Sequence, residues 1–215
     1  MLRPVIARLR RNLREVGLAG SAARLLSRLR EGYVRNRLDV LAKGLDAGLE
    51  APAGSSVQVE DLAPGHLPRI SELNRRRGEP EADASFRAAL EKGYRGFVAI
   101  LGGELVGYFH WVGGDMPVAH HDVWLMGPDF ELGADDAYGS GLFVLAEHRG
   151  GGVGGAFLAG VEARLRDRGY RRFWVLVERE NAGALRFYER HGYRRMWEVR
   201  YRALGPFRWR GVVLE

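Results

Sequence analysis

The residues with the clearest chemical promise lie in one run, Val144-Leu-Ala-Glu-His-Arg149-Gly150-Gly151-Gly152-Val153-Gly154-Gly155. An apolar segment ends and glycines crowd together. A helical period then begins with Phe157, Leu158, Val161 and Leu165. Strand, loop and helix are the expected order. Glycines let the backbone turn until several N–H groups point one way, and a helix N-terminus adds unpaired donors and the positive end of its dipole. Arg149 contributes a full charge. The chemistry is that of an anion cradle, suited to a pyrophosphate.

Two constructions of this kind fit the residues to different degrees. Gly150, Gly152 and Gly155 satisfy G-x-G-x-x-G, the dinucleotide fingerprint, and would support a nicotinamide-dependent enzyme. In that fold the strand runs almost directly into the first glycine and several parallel strands follow. Here Ala146 to Arg149 intervene, and about sixty residues remain, too few for two mononucleotide halves. The alternative rests on two blocks. Arg149-Gly-Gly-Gly152-Val-Gly154 resembles the [Gln/Arg]-x-x-Gly-x-[Gly/Ala] signature of the GCN5-related N-acetyltransferases (GNAT). Downstream, Asn181-Ala-Gly-Ala184-Leu-Arg-Phe187-Tyr188-Glu-Arg-His-Gly192-Tyr193 resembles that family's Asn-x-x-Ala…Tyr…Gly-[Phe/Tyr] block. The resemblance is clearest over 138–195 and extends in element order over 56–204.

The resemblance implies a mixed α/β sheet of the GNAT acyl-CoA N-acyltransferase fold, here with an N-terminal helical extension. It implies acetyl-CoA as cosubstrate, an amine acceptor and direct attack on the thioester, without a metal. Backbone groups along Leu142, Phe143 and Val144 would pair with the pantetheine arm as an added strand would, and one N–H would stabilise the developing oxyanion. Arg149, Gly150, Gly151, Gly152, Val153, Gly154 and Gly155 would hold the pyrophosphate. The strand at Phe173–Val177 would splay from that at Leu142–Leu145 and leave a wedge. Asn181 would bind the pantetheine or its water, and Tyr188 would protonate the leaving thiolate. Plainer roles are open to both: Asn181 stands where a helix N-cap belongs, and Tyr188 can be a core aromatic.

The chain departs from one branch of that family. Members that acetylate the N-terminal amine of ribosomal proteins often carry a Glu base five residues before the Asn; here that residue is Leu176. Candidate bases are His110, on an apolar strand expected to lead to the acceptor cleft, and Asp136, near the start of the strand leading to Val144. His120, His121 and Glu147 are further candidates. His120-His121 alone lacks the ligand number for zinc. A lysine-like amine, at pKa ~10.4, needs more help from a base than an α-amine near ~8. With no cysteine and no evident Ser-His-Asp arrangement, no acyl-enzyme is expected.

The elements that must position these groups read as follows. Val57, Val59 and Leu62 mark a short strand. Pro64–Arg77 and Ala84–Lys92 read as helices. Phe97–Leu101 and Leu105–Val112 flank a Gly102-Gly103 turn as a hairpin. Gly113–Gly133 is irregular. Gly155–Arg168 reads as a helix, Phe173–Val177 as a strand, Ala182–His191 as a helix, and Met196–Leu204 and Phe207–Leu214 as terminal strands. Trp197, Tyr201, Phe207 and Trp209 on the latter suit either a dimer surface or packed core.

The 215 residues include no cysteine, and 46% are hydrophobic and 28% charged. Disulfides and thiolate metal sites are excluded, no run reaches the ~20 apolar residues of a membrane span, and a reducing cytoplasm is the expected setting. The net charge of +6 is concentrated in residues 1–37, which hold ten Arg and two Glu and leave the rest of the chain net acidic. All but two basic residues are Arg; Lys43 and Lys92 are the exceptions. The arm at 1–37 has apolar residues at helical spacing (Leu2, Val5, Ile6, Leu9, Leu13, Val16; then Leu25, Leu26, Leu29, Tyr33). Such helices commonly pack on their own domain. A basic stripe would also meet an anionic membrane surface, nucleic acid or an acidic partner. Residues 38–55 read as a short strand, Arg37–Leu45, and a linker, with the acyltransferase domain at 56–215. A non-catalytic acyl-CoA sensor with a docking arm is the alternative from outside enzymology.

Overall fold

The computed structural model describes residues 33–45, 56–76, 78–116, 123–127, 130–204 and 207–213. Its strands are β1 (Tyr33–Gly44), β2 (Val57–Asp61), β3 (Arg95–Leu101), β4 (Glu104–Gly113), β5 (Asp136–Val144), β6 (Arg172–Glu178), β7 (Arg194–Leu204) and β8 (Phe207–Val213). Helices α1 (Leu67–Arg76) and α2 (Pro80–Glu91) lie between β2 and β3. Helix α3 (Val153–Asp167) joins β5 to β6, and α4 (Ala182–Arg190) joins β6 to β7. One sheet holds all strands in the order β2-β3-β4-β5-β6-β1-β7-β8. Among the described residues β5–β6 is its single parallel pair.

The central strands are apolar on both faces, so alternation assigns each residue to a layer. In β3, Phe97 and Ala99 join Phe157, Leu158, Val161 and Leu165 of α3. Val98 and Ile100 turn the other way, to Ile70 and Leu73 of α1 and Phe86 of α2. On that second face a further cluster joins Val40, Tyr138, Trp174 and Val199 to Val123 and Met126. Helices cover both faces, in three layers. Gly160 lets α3 press onto β2: a Cβ there would sit 2.4 Å from a methyl of Val59. Gly139 is equally constrained, because a Cβ would meet the Phe109 and Phe173 rings at 2.1 and 2.5 Å.

The expected domain boundary needs correction. The strand expected at Arg37–Leu45 begins at Tyr33 and lies inside the sheet, antiparallel to β6 on one side and β7 on the other. Residues 33–44 therefore belong to the same folded unit as 56–213, and Tyr33–Arg37, read as the end of a helical arm, is strand. Residues 1–32, the linker at 46–55, and His120 and His121 lie outside the described residues.

The reason lies in long-range partners. Asp39, 2% exposed, is satisfied by Arg195 at 2.9 Å, and Glu198, 1% exposed, by Arg37 at 2.7 Å, by Arg200 at 2.9 Å and by Arg179. Hydrogen bonding from Arg37, foremost, holds the Glu198 carboxyl down at about 2 against an ordinary 4.5. Of the residues read as dimer surface or core, Trp197 and Tyr201 pack with the second-face cluster, and the Trp197 indole donates to the Met126 carbonyl at 2.6 Å.

Candidate functional site

The glycine run forms the turn from β5 into α3. After Val144 the Leu145 amide still bonds to Val106, and a single helical turn spans Ala146–His148. Gly150 and Gly152 then take φ of +82° and +83°, which a side chain would resist, with open space around both. Gly151 has open space without the left-handed conformation. The first amide bonded within α3 is Ala156 to Gly152, at 2.9 Å. The amides of Val153, Gly154 and Gly155 precede it and have no partner inside the helix. Arg149 is tied back: its Nε donates to the Val144 carbonyl at 2.9 Å and its guanidinium lies 5.6 Å from the Phe143 ring centre.

Gly155 differs from the rest of the run. A Cβ there would stand 2.5 Å from Nε2 of His191, so this glycine serves the close approach of α3 to the end of α4. Gly154 would meet Phe187 at an easier 3.4 Å. The expected anion-binding role of the Gly155 side of the turn reduces to its backbone amide.

A wedge opens beside the turn. β5 and β6 pair only from Asp136↔Arg172 to Gly139↔Val175. Past that point β6 remains paired with β1 as far as Glu178↔Leu38. β5 stays with β4 through Phe143↔Tyr108 and Val144↔Gly107, with a register shift that leaves Gly141 and Leu142 opposite Phe109. Gly141, at φ +68°, is the bulge residue. The strands are thus held from their outer sides and part between Ser140–Val144 and Leu176–Glu178. The edge of β5 at Leu142–Val144 that faces away from β4 borders the gap, with the Val144 carbonyl there accepting from Arg149.

On the α3 side of the sheet Tyr188 is buried, its ring 5.0 Å from that of Tyr193 and 5.4 Å from that of Phe187. Burial first, and the charge of Glu162 second, push its phenol pKa up, so it is fully protonated at neutral pH. Glu162 is itself buried and paired with Lys43 at 2.7 Å. Asn181 caps α4, its Oδ1 accepting from the Ala184 amide at 3.0 Å. The simple capping expectation therefore describes its side chain here.

The opposite face carries a cavity of about 460 Å³ that reaches the same bulge. Phe86, Tyr94, Tyr108, His110 and Phe143 supply its rings, and Ser140, Gly141 and Leu142 bring it to β5. His110 pairs in register with Gly96 and Ser140, and its Cε1 would lie 2.7 Å from a Cβ on Gly141. Asp136 is not part of this assembly. It starts β5, eight residues or ~26 Å of strand from Val144, and its carboxylate faces Arg172 at 3.9 Å. It lies at the closed end of the β5–β6 pairing and not beside the gap. Glu147 is exposed and pairs with Arg76 at 3.5 Å. Among the described residues no cluster of His, Asp and Glu is placed to hold a metal ion, and no helix is long and apolar enough to cross a membrane.

The acetyltransferase (GNAT) family, compared as a sequence profile, matches residues 67–193. The chain belongs to the GNAT family. Solved structures repeat this GNAT fold at low identity. A functionally unknown conserved protein from Staphylococcus epidermidis superposes with TM-score 0.59 at 16% identity, over 84% of this chain and 66% of its own. A putative GNAT acetyltransferase from Novosphingobium aromaticivorans gives 0.54 at 18%, over 80% and 66%. A GCN5-related glucosamine N-acetyltransferase region of a fungal multi-domain β-N-acetylglucosaminidase gives 0.58 at 19%, over 90% and 22%. The chain thus spans about two thirds of the length of the first two and about a fifth of the third. No curated protein matches it.

For this GNAT protein the residues present fit an acyl-CoA. Two left-handed glycines with empty surroundings, three unpaired amides at the start of α3 and Arg149 are a donor set for a diphosphate, and the gap beside β5 admits an extended arm. A single parallel pair cannot build the two mononucleotide halves that the G-x-G-x-x-G reading requires. Family membership supports acyl transfer as the chemistry. Sequence reading missed the pocket residues Phe86, Tyr94, Tyr108 and Lys92. The one available signal was Tyr108 and His110 at i, i+2 on a strand, which must share a face.

Proposed function

We propose that this GNAT protein transfers an acetyl group from acetyl-CoA to a primary amine by direct attack. The observation that carries the reading is a convergence at one wedge. The glycine turn with Arg149 starts α3, on one face of the sheet, and the aromatic pocket lies on the other. Both adjoin β5 between Ser140 and Val144. A donor held by the turn and threaded into the gap would present its acyl end to a guest in the pocket.

The thioester supplies an activated acyl carbon. The chain supplies the rest. Amides of Val153, Gly154 and Gly155 and the Arg149 guanidinium bind the diphosphate. The gap-facing edge of β5 at Leu142–Val144 adds hydrogen bonds to the pantetheine arm, and one amide of that edge, fixed by the bulge at Gly141, donates to the carbonyl oxygen as charge develops there. The Nδ1 or Nε2 of His110 takes the proton of the attacking amine, directly or through water. The Tyr188 phenol, held protonated, returns a proton to the departing sulfur.

The test is release of CoA from acetyl-CoA over a panel of amines, with thermal unfolding in acetyl-CoA, CoA and NAD alongside. Both CoA species, and not NAD, raise the midpoint; at ~100 times the dissociation constant the gain is ~2.7 kcal/mol. Tyr188→Phe keeps the fold and lowers kcat by about 10²–10⁴-fold, the usual worth of a general acid. Unchanged turnover in Tyr188→Phe excludes the acid role. The burial of Tyr188 in the core is the observation favouring a second reading, an acyl-CoA sensor, which is the outcome if CoA binds and no amine is acetylated.

A further inference from the structure

We propose that the pocket beside the bulge selects an aromatic amine bearing a carboxylate, of the aromatic α-amino acid type, and that Lys92 holds that carboxylate. The inference rests on the acyl-transfer reading for the reaction, although the binding site can be tested without it.

The first argument is what lines the cavity. Its walls are aromatic, with the rings of Phe86 and Tyr108 4.8 Å apart, Tyr94 and His110 5.6 Å, and Tyr108 and Phe143 5.4 Å. The first two pairs meet edge to face, so the wall offers both edges and faces to a guest ring. About 460 Å³ falls within the ~300–1,000 Å³ of small-molecule sites. A polycation or a long polar acceptor would leave most of this surface unused.

The second argument is charge. Among the described lining residues there is no aspartate or glutamate, and Lys92 is the one permanent cation. A site for polyamines, aminosugars or the side chain of a lysine needs carboxylates to offset the ammonium, and none stands among the described lining residues. An ammonium entering it would lose its hydration and face Lys92. Both effects favour the neutral amine, which is the nucleophilic form. An α-amine near ~8 sheds its proton here far more readily than a lysine-like amine near ~10.4. A carboxylate on the same guest has the opposite sign and finds Lys92.

The third argument is residue choice. The chain places Arg at nearly every basic position, and its two lysines are exceptions. Lys43 is committed to the buried Glu162. Lys92 stands at the C-terminal cap of α2 and is among the residues lining the pocket, so a compact ammonium on a flexible stem is within reach of a guest. The helix end alone would accept any cation. The cavity gives this one a guest to hold.

The experiment uses the full chain and four probes at pH 8, each titrated calorimetrically with CoA present and absent: L-phenylalanine, 2-phenylethylamine, 3-phenylpropanoate and spermidine. L-phenylalanine is expected to bind at least ten-fold more tightly than 2-phenylethylamine, with spermidine weakest. Lys92→Ala should close the gap between the first two, and Lys92→Glu should reverse it. Because Lys92 is exposed, neither variant threatens folding. The proposal is overturned if spermidine or 2-phenylethylamine binds best, if the gap survives Lys92→Ala, or if no aromatic probe binds. CoA release from acetyl-CoA is read separately. Lys92-dependent binding without CoA release with any amine keeps the site and removes the transferase. Release with spermidine and not with L-phenylalanine keeps the transferase and removes this site.

Discussion

Gly151 and Gly152 are neighbours in one loop, yet Ala should behave oppositely at the two. At both positions a Cβ has nothing within 4 Å, so no steric term distinguishes them. Gly152 sits at φ +83° and Gly151 has no positive φ. An L-residue in the left-handed region costs about 1–2 kcal/mol. In Gly152→Ala that energy must appear in one of two places. If the loop keeps its shape, stability falls by about 1–2 kcal/mol, or ~2–8 °C in midpoint for a chain of this size. If the loop relaxes, the amides at the start of α3 swing out of line, and affinity for acetyl-CoA falls by about 5–30-fold, since 1.4 kcal/mol is tenfold. Gly151→Ala changes neither adversely, and stiffening of the unfolded chain makes it neutral to slightly stabilising, by up to ~1 kcal/mol. Thermal unfolding without ligand and calorimetric titration of acetyl-CoA, on both variants, measure the two channels. Equal damage from both substitutions, or a Gly152→Ala protein unchanged in midpoint and affinity alike, would refute the assignment of the turn.

Gly141→Ala is expected to lower kcat/KM at least tenfold while the protein remains folded, because the Cβ would strain φ +68° and drive into the His110 ring 2.7 Å away; steady-state kinetics with far-UV circular dichroism checks it. Lys43→Ala strands a buried carboxylate, so urea unfolding should show a loss of about 3–5 kcal/mol, and Lys43→Met with Glu162→Leu together should recover most of it. Glu198 has its pKa depressed to about 2, so its contribution is present above the unfolded value of 4.5 and is lost as pH falls from there through about 2. Glu198→Gln should therefore flatten the decline in stability over that window, as read from denaturant midpoints against pH.

Local signals located much of the structure. The 3.6-residue spacing of Phe157, Leu158, Val161 and Leu165 gave α3, and Gly169 at φ +94° ends the turn that follows it. The glycine run and the Asn181 cap were legible because a turn and a cap are contained within a few residues. The β3–β4 hairpin was legible for the same reason, its Gly102 and Gly103 at φ +57° and +85° joining strands adjacent in sequence. The further reason for Gly155 was not legible, because glycine content says that a side chain is unwanted and not what would collide with it; here that is His191, supplied by another helix.

What the sequence by itself determined about this protein is therefore a set of elements, the face each turns inward, and one glycine-rich turn between a strand and a helix, since period and glycine placement are properties of the chain alone. Tertiary structure decided the neighbours. The place of β1 between β6 and β7 depends on Arg37 and Glu198, 161 positions apart, and on a polar Asp39 whose burial is tolerable only beside Arg195. The wedge exists because β4 and β1 pull β5 and β6 apart from their outer edges. The aromatic pocket exists because α2 returns over β4 and β5, bringing Phe86 and Lys92 to His110 and Phe143. Periodicity tells a residue which way to face; only closure of the chain on itself tells it what it will meet there.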